Sequence, residues 1–287
     1  MICVNASIRT LLSEKESYMK IGRLLGTGLT AEVYEWGQGK IIKLYFNRFS
    51  TDKWVNHEAK IGHIVNKSGI ISPAVYDKIE INGRKGIIYE RIYGKSIAEH
   101  LLTAPWELFY FMKKIADLHY DIHKFSAQGL PTQKERFEYT IKLSSRILGY
   151  RVKRILDYID SLPDGNSICH GDLNFCNVII SGKNLVPIDW NGAYSGNPLS
   201  DVARTSMIIC SPAITFGIHP ALSFFAHYLR QMTYKTYINE YIRLSKAKFE
   251  DIDAWVLPVA AAKLKDRIPG EKKWLMDIID DRLKRLN

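Results

Sequence analysis

Between Ser167 and Trp190 the chain reads SICHGDLNFCNVIISGKNLVPIDW, and few folds accommodate that order of residues. Two short β-prone apolar runs, Val178 to Ile180 and Leu185 to Ile188, flank Gly182, Lys183 and Asn184, residue types that suit a hairpin turn. Ahead of the hairpin, His170, Gly171, Asp172 and Leu173 are followed after three residues by Asn177. Asp189 comes directly after it. The hairpin is therefore expected to carry Asp189 back beside the tip of the loop that holds Asp172 and Asn177.

Two carboxylates and an amide in that arrangement suit phosphoryl transfer. A hydroxyl attacking a γ-phosphate must lose its proton, and a carboxylate such as Asp172 can orient the hydroxyl and accept that proton. The phosphates bring several negative charges that Mg²⁺ neutralises, and hard oxygen ligands suit Mg²⁺. Asn177 and Asp189 are the candidate metal ligands. An isolated His-Gly-Asp, or an Asp after a strand, is ordinarily turn chemistry; loop, hairpin and Asp in this order carry the reading.

The N-terminal part adds a second set. Gly26, Thr27 and Gly28 lead into Leu29, Thr30, Ala31, Glu32 and Val33, a G-x-G-x-x-A-x-V pattern whose bare backbone lets N–H groups approach phosphate. It runs on into a strand rather than a helix, which disfavours a dinucleotide-binding turn. KIIKLYF then reads as a third strand in which Lys43 shares a face with Ile41 and Tyr45. A helix is expected from about Thr51 to Lys67 with Glu58 in register to pair with Lys43. Solvated surface roles are the plain alternative for both. Two further β-prone runs flank Asn82-Gly83, a strong hairpin signal. That makes five strands and one helix, followed at Glu90 to Gly94 by a hinge whose backbone suits an adenine edge.

From Gly94 the apolar spacing turns helical, with Leu108, Phe111, Met112, Ile115, Leu118 and Ile122 at intervals of three and four. His119 and His123 lie one turn apart, a zinc-compatible spacing. No third ligand is evident, so a structural pair is expected. Arg136 to Leu162 reads as helix in two pieces broken at Gly149. Pro163-Asp164-Gly165 closes it. Residues before about Met19 read as a leading helix or arm. His170, Asp172, Leu173 and Asn177 match the H-x-D-L-x-x-x-N loop of kinases, and that resemblance implies an α+β, bilobal protein-kinase-like fold, with a small five-stranded N-terminal lobe over 1–93 and a larger, mainly helical C-terminal lobe over 94–287.

Composition narrows the function classes. The formal net charge of +10 is spread along the chain rather than gathered in one stripe, and no nucleic-acid motif accompanies it, so no nucleic-acid partner is expected. No apolar run is long enough to span a bilayer, and the first residues lack the charged region of a secretory signal. Cys3, Cys169, Cys176 and Cys210 are too few and too irregular for a disulfide framework or a zinc site. A cytoplasmic protein with reduced thiols is the expectation.

Taken together, LLGTGLTAEVYEW, Lys43, Glu58, IIYERIYG, CHGDLNFCNVII and PIDWNGAYSGNPLSDVAR run from about residue 21 to 206. This ordered set resembles the aminoglycoside phosphotransferase and choline kinase group, small-molecule relatives of the protein kinases. The resemblance implies that Asp172 is the catalytic base and that Asn177 and Asp189 bind Mg²⁺. It also implies that Lys43 holds the phosphates of ATP or GTP, that the backbone near Glu90 and Ile92 binds the base, and that Asp201 braces the catalytic loop. The nucleotide would lie between the lobes.

Departures from protein kinases point to a small acceptor. Trp190 and Asn191 follow Asp189 in place of Phe-Gly, and only about ten residues separate Asp189 from a helix beginning near Ser200, too few for a peptide-docking activation segment. Asn174 stands where protein kinases usually carry a lysine. The acceptor is expected to be a small hydroxyl compound: an aminoglycoside-type antibiotic, or a choline-, sugar- or homoserine-like metabolite. A polycation would favour acidic clusters such as Glu250, Asp251 and Asp253, or Asp277, Asp280 and Asp281. A choline-like cation would favour the faces of Trp190, Tyr194 or Trp255. The rival readings are a catalytically silent kinase-like nucleotide-binding module and, further off, a basic nucleic-acid-binding protein.

Overall fold

The computed structural model describes residues 21–126, 128–215 and 220–286, without the side chains of 214–215 and 220–225. The leading arm expected before Met19, and Cys3 within it, lie outside the described residues. The chain divides into two compact units, each taken here by itself: the described residues up to Asn66 together with Ser72–Tyr93, and Lys67–Ile71 together with the described residues from Gly94.

The first unit is a five-stranded antiparallel sheet with one long helix. Its strands are β1 (Leu24–Thr27), β2 (Ala31–Glu35), β3 (Lys40–Tyr45), β4 (Val75–Ile81) and β5 (Arg84–Glu90), ordered β1-β2-β3-β5-β4. Asn82 (φ 51°) and Gly83 (φ 76°) both sit in the left-handed region that a two-residue hairpin turn requires, which is why that dipeptide marks the β4–β5 turn. The alternation along β3 splits the core. Tyr45 packs with Val55 and Ala59 of helix α1 (Asp52–Lys67) on one face, and Ile42 and Leu44 pack with Trp36 and Ile88 on the other. Lys43 belongs to the helix-facing set.

The second unit is mainly helical. Strand β6 (Lys95–Ser96) leads into α2 (Ile97–Leu101), then come α3 (Leu108–Ile122), α4 (Gln133–Leu143), α5 (Ser145–Leu148) and α6 (Arg151–Ser161). Ser96 with Glu99, and Thr132 with Glu135, form reciprocal capping boxes that fix where α2 and α4 begin. The stretch expected as two helical pieces is three, because Ser144 leaves helical geometry as well as Gly149 (φ 56°). Two small sheets follow: β7 (Ser167–Cys169) pairs with β10 (Tyr194–Gly196), and β8 (Val178–Ser181) lies between β6 and β9 (Asn184–Pro187). The remaining helices are α7 (Pro198–Ile209), α8 (Pro220–Ser245), α9 (Phe249–Asp253), α10 (Val256–Lys263) and α11 (Glu271–Arg285). Among the described residues no helix is long and apolar enough to cross a membrane.

Candidate active site

In the first unit Lys43 and Glu58 meet as expected. The Lys43 Nζ donates to Glu58 Oε1 at 2.7 Å, with the two side chains 14% and 4% exposed. The Tyr89 hydroxyl donates to the same oxygen at 3.1 Å. A carboxylate buried this deeply costs several kcal/mol unless it is paired, so the ammonium holds Glu58 in place as much as Glu58 aims the lysine. Gly26 and Thr27 end β1, and the Gly28 N–H closes the turn on the carbonyl of Ala31 at 2.9 Å. The Glu90 N–H and side chain are both engaged with the backbone of Ala74, while Arg91 N–H binds the carbonyl of Gly39.

In the second unit the loop between β7 and β8 carries the acidic centre. The side-chain amide of Asn177 donates to Asp172 Oδ2 at 3.1 Å and to the Asp172 carbonyl at 2.9 Å. Arg204 from α7 donates to Asp172 Oδ1 at 3.1 Å. Asp172, 41% exposed, is thus a carboxylate of fixed orientation open to solvent on one side. The Asn177 nitrogen is spent on Asp172, which leaves its side-chain carbonyl oxygen as an available acceptor. The Asn177 backbone carbonyl accepts from Ile188 N–H at 2.9 Å, one residue before Asp189. The β8–β9 hairpin therefore sets Asn177 and Asp189 at adjacent positions, as the sequence suggests. Gly182 and Lys183 alone make its turn, Asn184 joining β9. Asp189 itself adopts the left-handed conformation (φ 62°, ψ 59°), uncommon for a residue with a Cβ and typical of functional turns. A side-chain carbonyl and a carboxylate borne by neighbouring backbone positions are the hard oxygen donors that suit a magnesium ion, which takes few protein oxygens and keeps the rest of its shell for water and phosphate.

Two buried residues hold this loop. The His170 ring accepts from the Asp172 N–H at 3.3 Å through Nδ1 and lies 3.1 Å from the Ile188 carbonyl through Nε2. Burial lowers its pKa, which keeps the ring neutral with one nitrogen accepting and the other donating. Asp201, fully buried, accepts the backbone N–H groups of both His170 and Gly171. It also meets His119 Nε2 at 2.9 Å and His123 Nε2 at 3.4 Å. Burial opposes ionisation of Asp201, but the charge and hydrogen bonds of the two histidines outweigh it and hold the carboxyl well below its ordinary value. The histidine pair does have a third potential ligand, contrary to the sequence expectation. That carboxylate is already occupied by two backbone donors, and the other ring nitrogens bind the hydroxyls of Tyr237 (2.6 Å) and Tyr241 (2.7 Å).

Gly171 (φ 79°) shows why glycine follows His170: a Cβ there would stand 2.3 Å from the Gly192 carbonyl oxygen. Asn174 turns back on the loop, donating to the Asp172 carbonyl and accepting from Cys176 N–H, both at 2.9 Å. The acidic clusters considered for a cationic acceptor are largely neutralised. Asp253 pairs with Arg282, Asp277 with Lys273, Asp280 with Arg151 and Asp281 with Arg285. Trp190, Tyr194 and Trp255 are all buried, so their faces are core surface rather than an open cation cage. The residues that sequence reading misses are Arg204, which bridges Asp172 and Asp266 (2.7 Å), and Arg136 beside it. No local pattern marks either.

The fold is shared with solved phosphotransferases. Aminoglycoside phosphotransferase APH(4)-Ia superposes with a TM-score of 0.62 at 14% identity, over 97% of this chain and 98% of that one. APH(3'')-Id from Streptomyces rimosus, solved with ADP and streptomycin, superposes with a TM-score of 0.55 at 16% identity, over 91% and 99%. Choline kinase from Cryptosporidium parvum Iowa II does so with 0.54 at 14%, over 97% and 94%. At these identities the likeness shows the fold: α+β, with the five-stranded sheet first and the helical part after it. No curated protein sequence matches the chain. The family profile described as APH, phosphotransferase enzyme family, matches residues 22–237, three quarters of the chain, so the chain belongs to the phosphotransferase enzyme family.

Proposed function

We propose that the protein transfers the γ-phosphate of ATP, or of GTP, to a hydroxyl of a small molecule. The observation that carries this reading is the loop in which one side-chain amide orients Asp172 while its own backbone places Asp189 alongside. Asp172 orients the attacking hydroxyl and takes its proton. Asn177 and Asp189 would hold Mg²⁺, which when bound neutralises charge on the transferring phosphate. Lys43, steadied by Glu58, binds the nucleotide phosphates together with the backbone of the Gly26-Thr27-Gly28 turn. The backbone at Glu90 and Ile92 receives the base. Catalysis on this reading is positioning and charge neutralisation, with little covalent work for the protein. Solved relatives that carry ADP with streptomycin, or are named choline kinase, support a small-molecule acceptor.

The test is calorimetric titration of nucleotide with and without Mg²⁺, paired with ADP release across a panel of hydroxyl compounds. Wild type is expected to bind Mg²⁺-ATP and Asp189→Ala to lose the Mg²⁺-dependent part. Equal affinity in the two proteins would remove Asp189 from the site, and failure of wild type to bind either nucleotide would remove the reading.

A further inference from the structure

Immediately behind Gly171 of the catalytic loop lies a recess whose wall includes Arg136 from α4, Arg204 from α7, Lys265 from the single turn Leu264–Asp266, and Tyr194. Three cations from three separate elements face one small space. Asp266 answers two of them, Arg204 at 2.7 Å and Lys265 at 2.8 Å, and Arg204 also reaches Asp172. Arg136 has no carboxylate or hydrogen-bond partner for its guanidinium among the described residues. It lies against the backbone of Gly192, where a Cβ would come 3.5 Å from its Nη2. Three positive charges against Asp172 and Asp266 leave one uncompensated.

Holding cations together in this way is costly. Burial first, then the charge of Arg204, push the Arg136 pKa down from its ordinary value. Burial also pushes Lys265 down, against the attraction of Asp266. A half-buried guanidinium with no partner among the described residues, beside two other cations, leaves the recess with positive charge that an anion can answer. Guanidinium presents a planar fork of donors that matches carboxylate and phosphate oxygens. A polycation would meet repulsion at the same place.

We propose that this recess binds an anionic group of the acceptor, a carboxylate or a phosphate monoester, with Arg136 as its principal ligand. The molecule phosphorylated is then a hydroxyl compound that already bears negative charge, not a polycationic aminoglycoside or a choline-like cation. This assignment rests on the phosphotransfer reading above. Arg204 and Lys265 complete the positive wall, and Asp266 keeps both in position.

The test uses the full-length protein and two probes, inorganic phosphate and acetate, titrated separately while the arginine side-chain Hε–Nε resonances are followed. The Arg136 signal is identified by its loss in Arg136→Gln. One or both anions are expected to shift that signal in wild type, and which one does so separates a phosphate site from a carboxylate site. A parallel turnover panel compares glycerol 3-phosphate, glycerate, glycerol, choline and streptomycin with Mg²⁺-ATP. Where an anionic compound is a substrate, Arg136→Gln is expected to raise its KM about tenfold or more with a much smaller change in kcat, and Arg136→Lys to recover part of the loss. Mg²⁺-ATP affinity should be the same in all three proteins, which also reports that the variants fold. Absence of any shift at Arg136 with either anion overturns the proposal, as does turnover of choline or streptomycin with a KM that Arg136→Gln leaves untouched. Loss of Mg²⁺-ATP binding in wild type would instead strike the phosphotransfer reading, so the two failures are told apart.

Discussion

Asp201 accepts the backbone N–H of Gly171 at 2.8 Å, reaching back thirty residues along the chain to do so. With the His170 N–H on its other oxygen, one buried carboxylate fixes two consecutive peptide groups immediately ahead of Asp172. The conformation of the acidic loop is therefore set from α7 as well as from within the loop.

Asp201→Asn tests that bracing role. The amide keeps one acceptor, but its NH₂ must face a backbone donor, the Gly171 N–H in one orientation or the His170 N–H in the other. Charged hydrogen bonds contribute about 1.5–3 kcal/mol each, so a loss of about 3 kcal/mol is expected in urea unfolding, together with a fall in kcat. Unfolding midpoints that coincide with wild type would show that Asp201 braces nothing.

For Asp172, substitution by Asn preserves shape and keeps an acceptor for either Asn177 or Arg204, though not for both, while removing the proton acceptor. Turnover should fall by about 10²-fold or more, with Mg²⁺-nucleotide affinity near that of wild type. Steady-state kinetics and calorimetry on one preparation separate the two. A variant that keeps full kcat would exclude Asp172 as the base.

Removing Lys43 should be worse for the fold than removing the whole pair. Lys43→Met leaves Glu58 buried with only the Tyr89 hydroxyl among its described partners. Breaking a buried pair on one side costs about 3–5 kcal/mol, whereas the double change Lys43→Met with Glu58→Leu leaves no stranded charge. Urea unfolding of both should place the double variant above the single one. The reverse order would mean that the pair is not energetically coupled.

Acid sensitivity follows from the buried imidazoles. Burial and the neighbouring His119 lower the His123 pKa from 6.5 to about 4, and burial lowers that of His170. Both are depressed histidines, so the unfolded chain takes up protons first as the pH falls. Stability should be level above about pH 7 and decline from about 6.5 toward 4, by about 3 kcal/mol for His123 alone. Melting curves between pH 7.5 and 5 check this, and a constant Tm over that range would contradict the burial of the pair. Asp201 acts in the same direction at lower pH: its carboxyl is held well below the ordinary value of 3.8, so its contribution is full above that value and is lost as the pH falls through the depressed one.

The parts of the site that sequence reading reaches are those made by neighbours in the chain. Asp172, Asn177 and Asp189 lie within one loop and one hairpin, so turn chemistry and strand alternation suffice to bring them together. Lys43 and Glu58 needed one further step, the register of a strand against the next helix. Arg136, Arg204 and Lys265 gather from α4, α7 and a turn near the C-terminus, and no periodicity links residues so distant. The same limit hid the meeting of His119 and His123 with Asp201. Trp190, Tyr194 and Trp255 mislead for a different reason: an aromatic side chain has the same composition signal whether its face meets a cation or, as here, the core.

The eight residues from Trp190 to Asn197 join Asp189 to α7 and are tied down at nearly every step. Trp190 Nε1 donates to the Pro187 carbonyl, β10 pairs with β7, Ser195 N–H binds the Pro131 carbonyl, and Asn197 N–H binds Gln133. A strip so short and so stitched has no second resting place to swing into, and its backbone offers no free stretch that a covalent mark could reorder. On the proposed chemistry the connection from Asp189 to α7 would thus stay in one arrangement through the catalytic cycle rather than act as a switch.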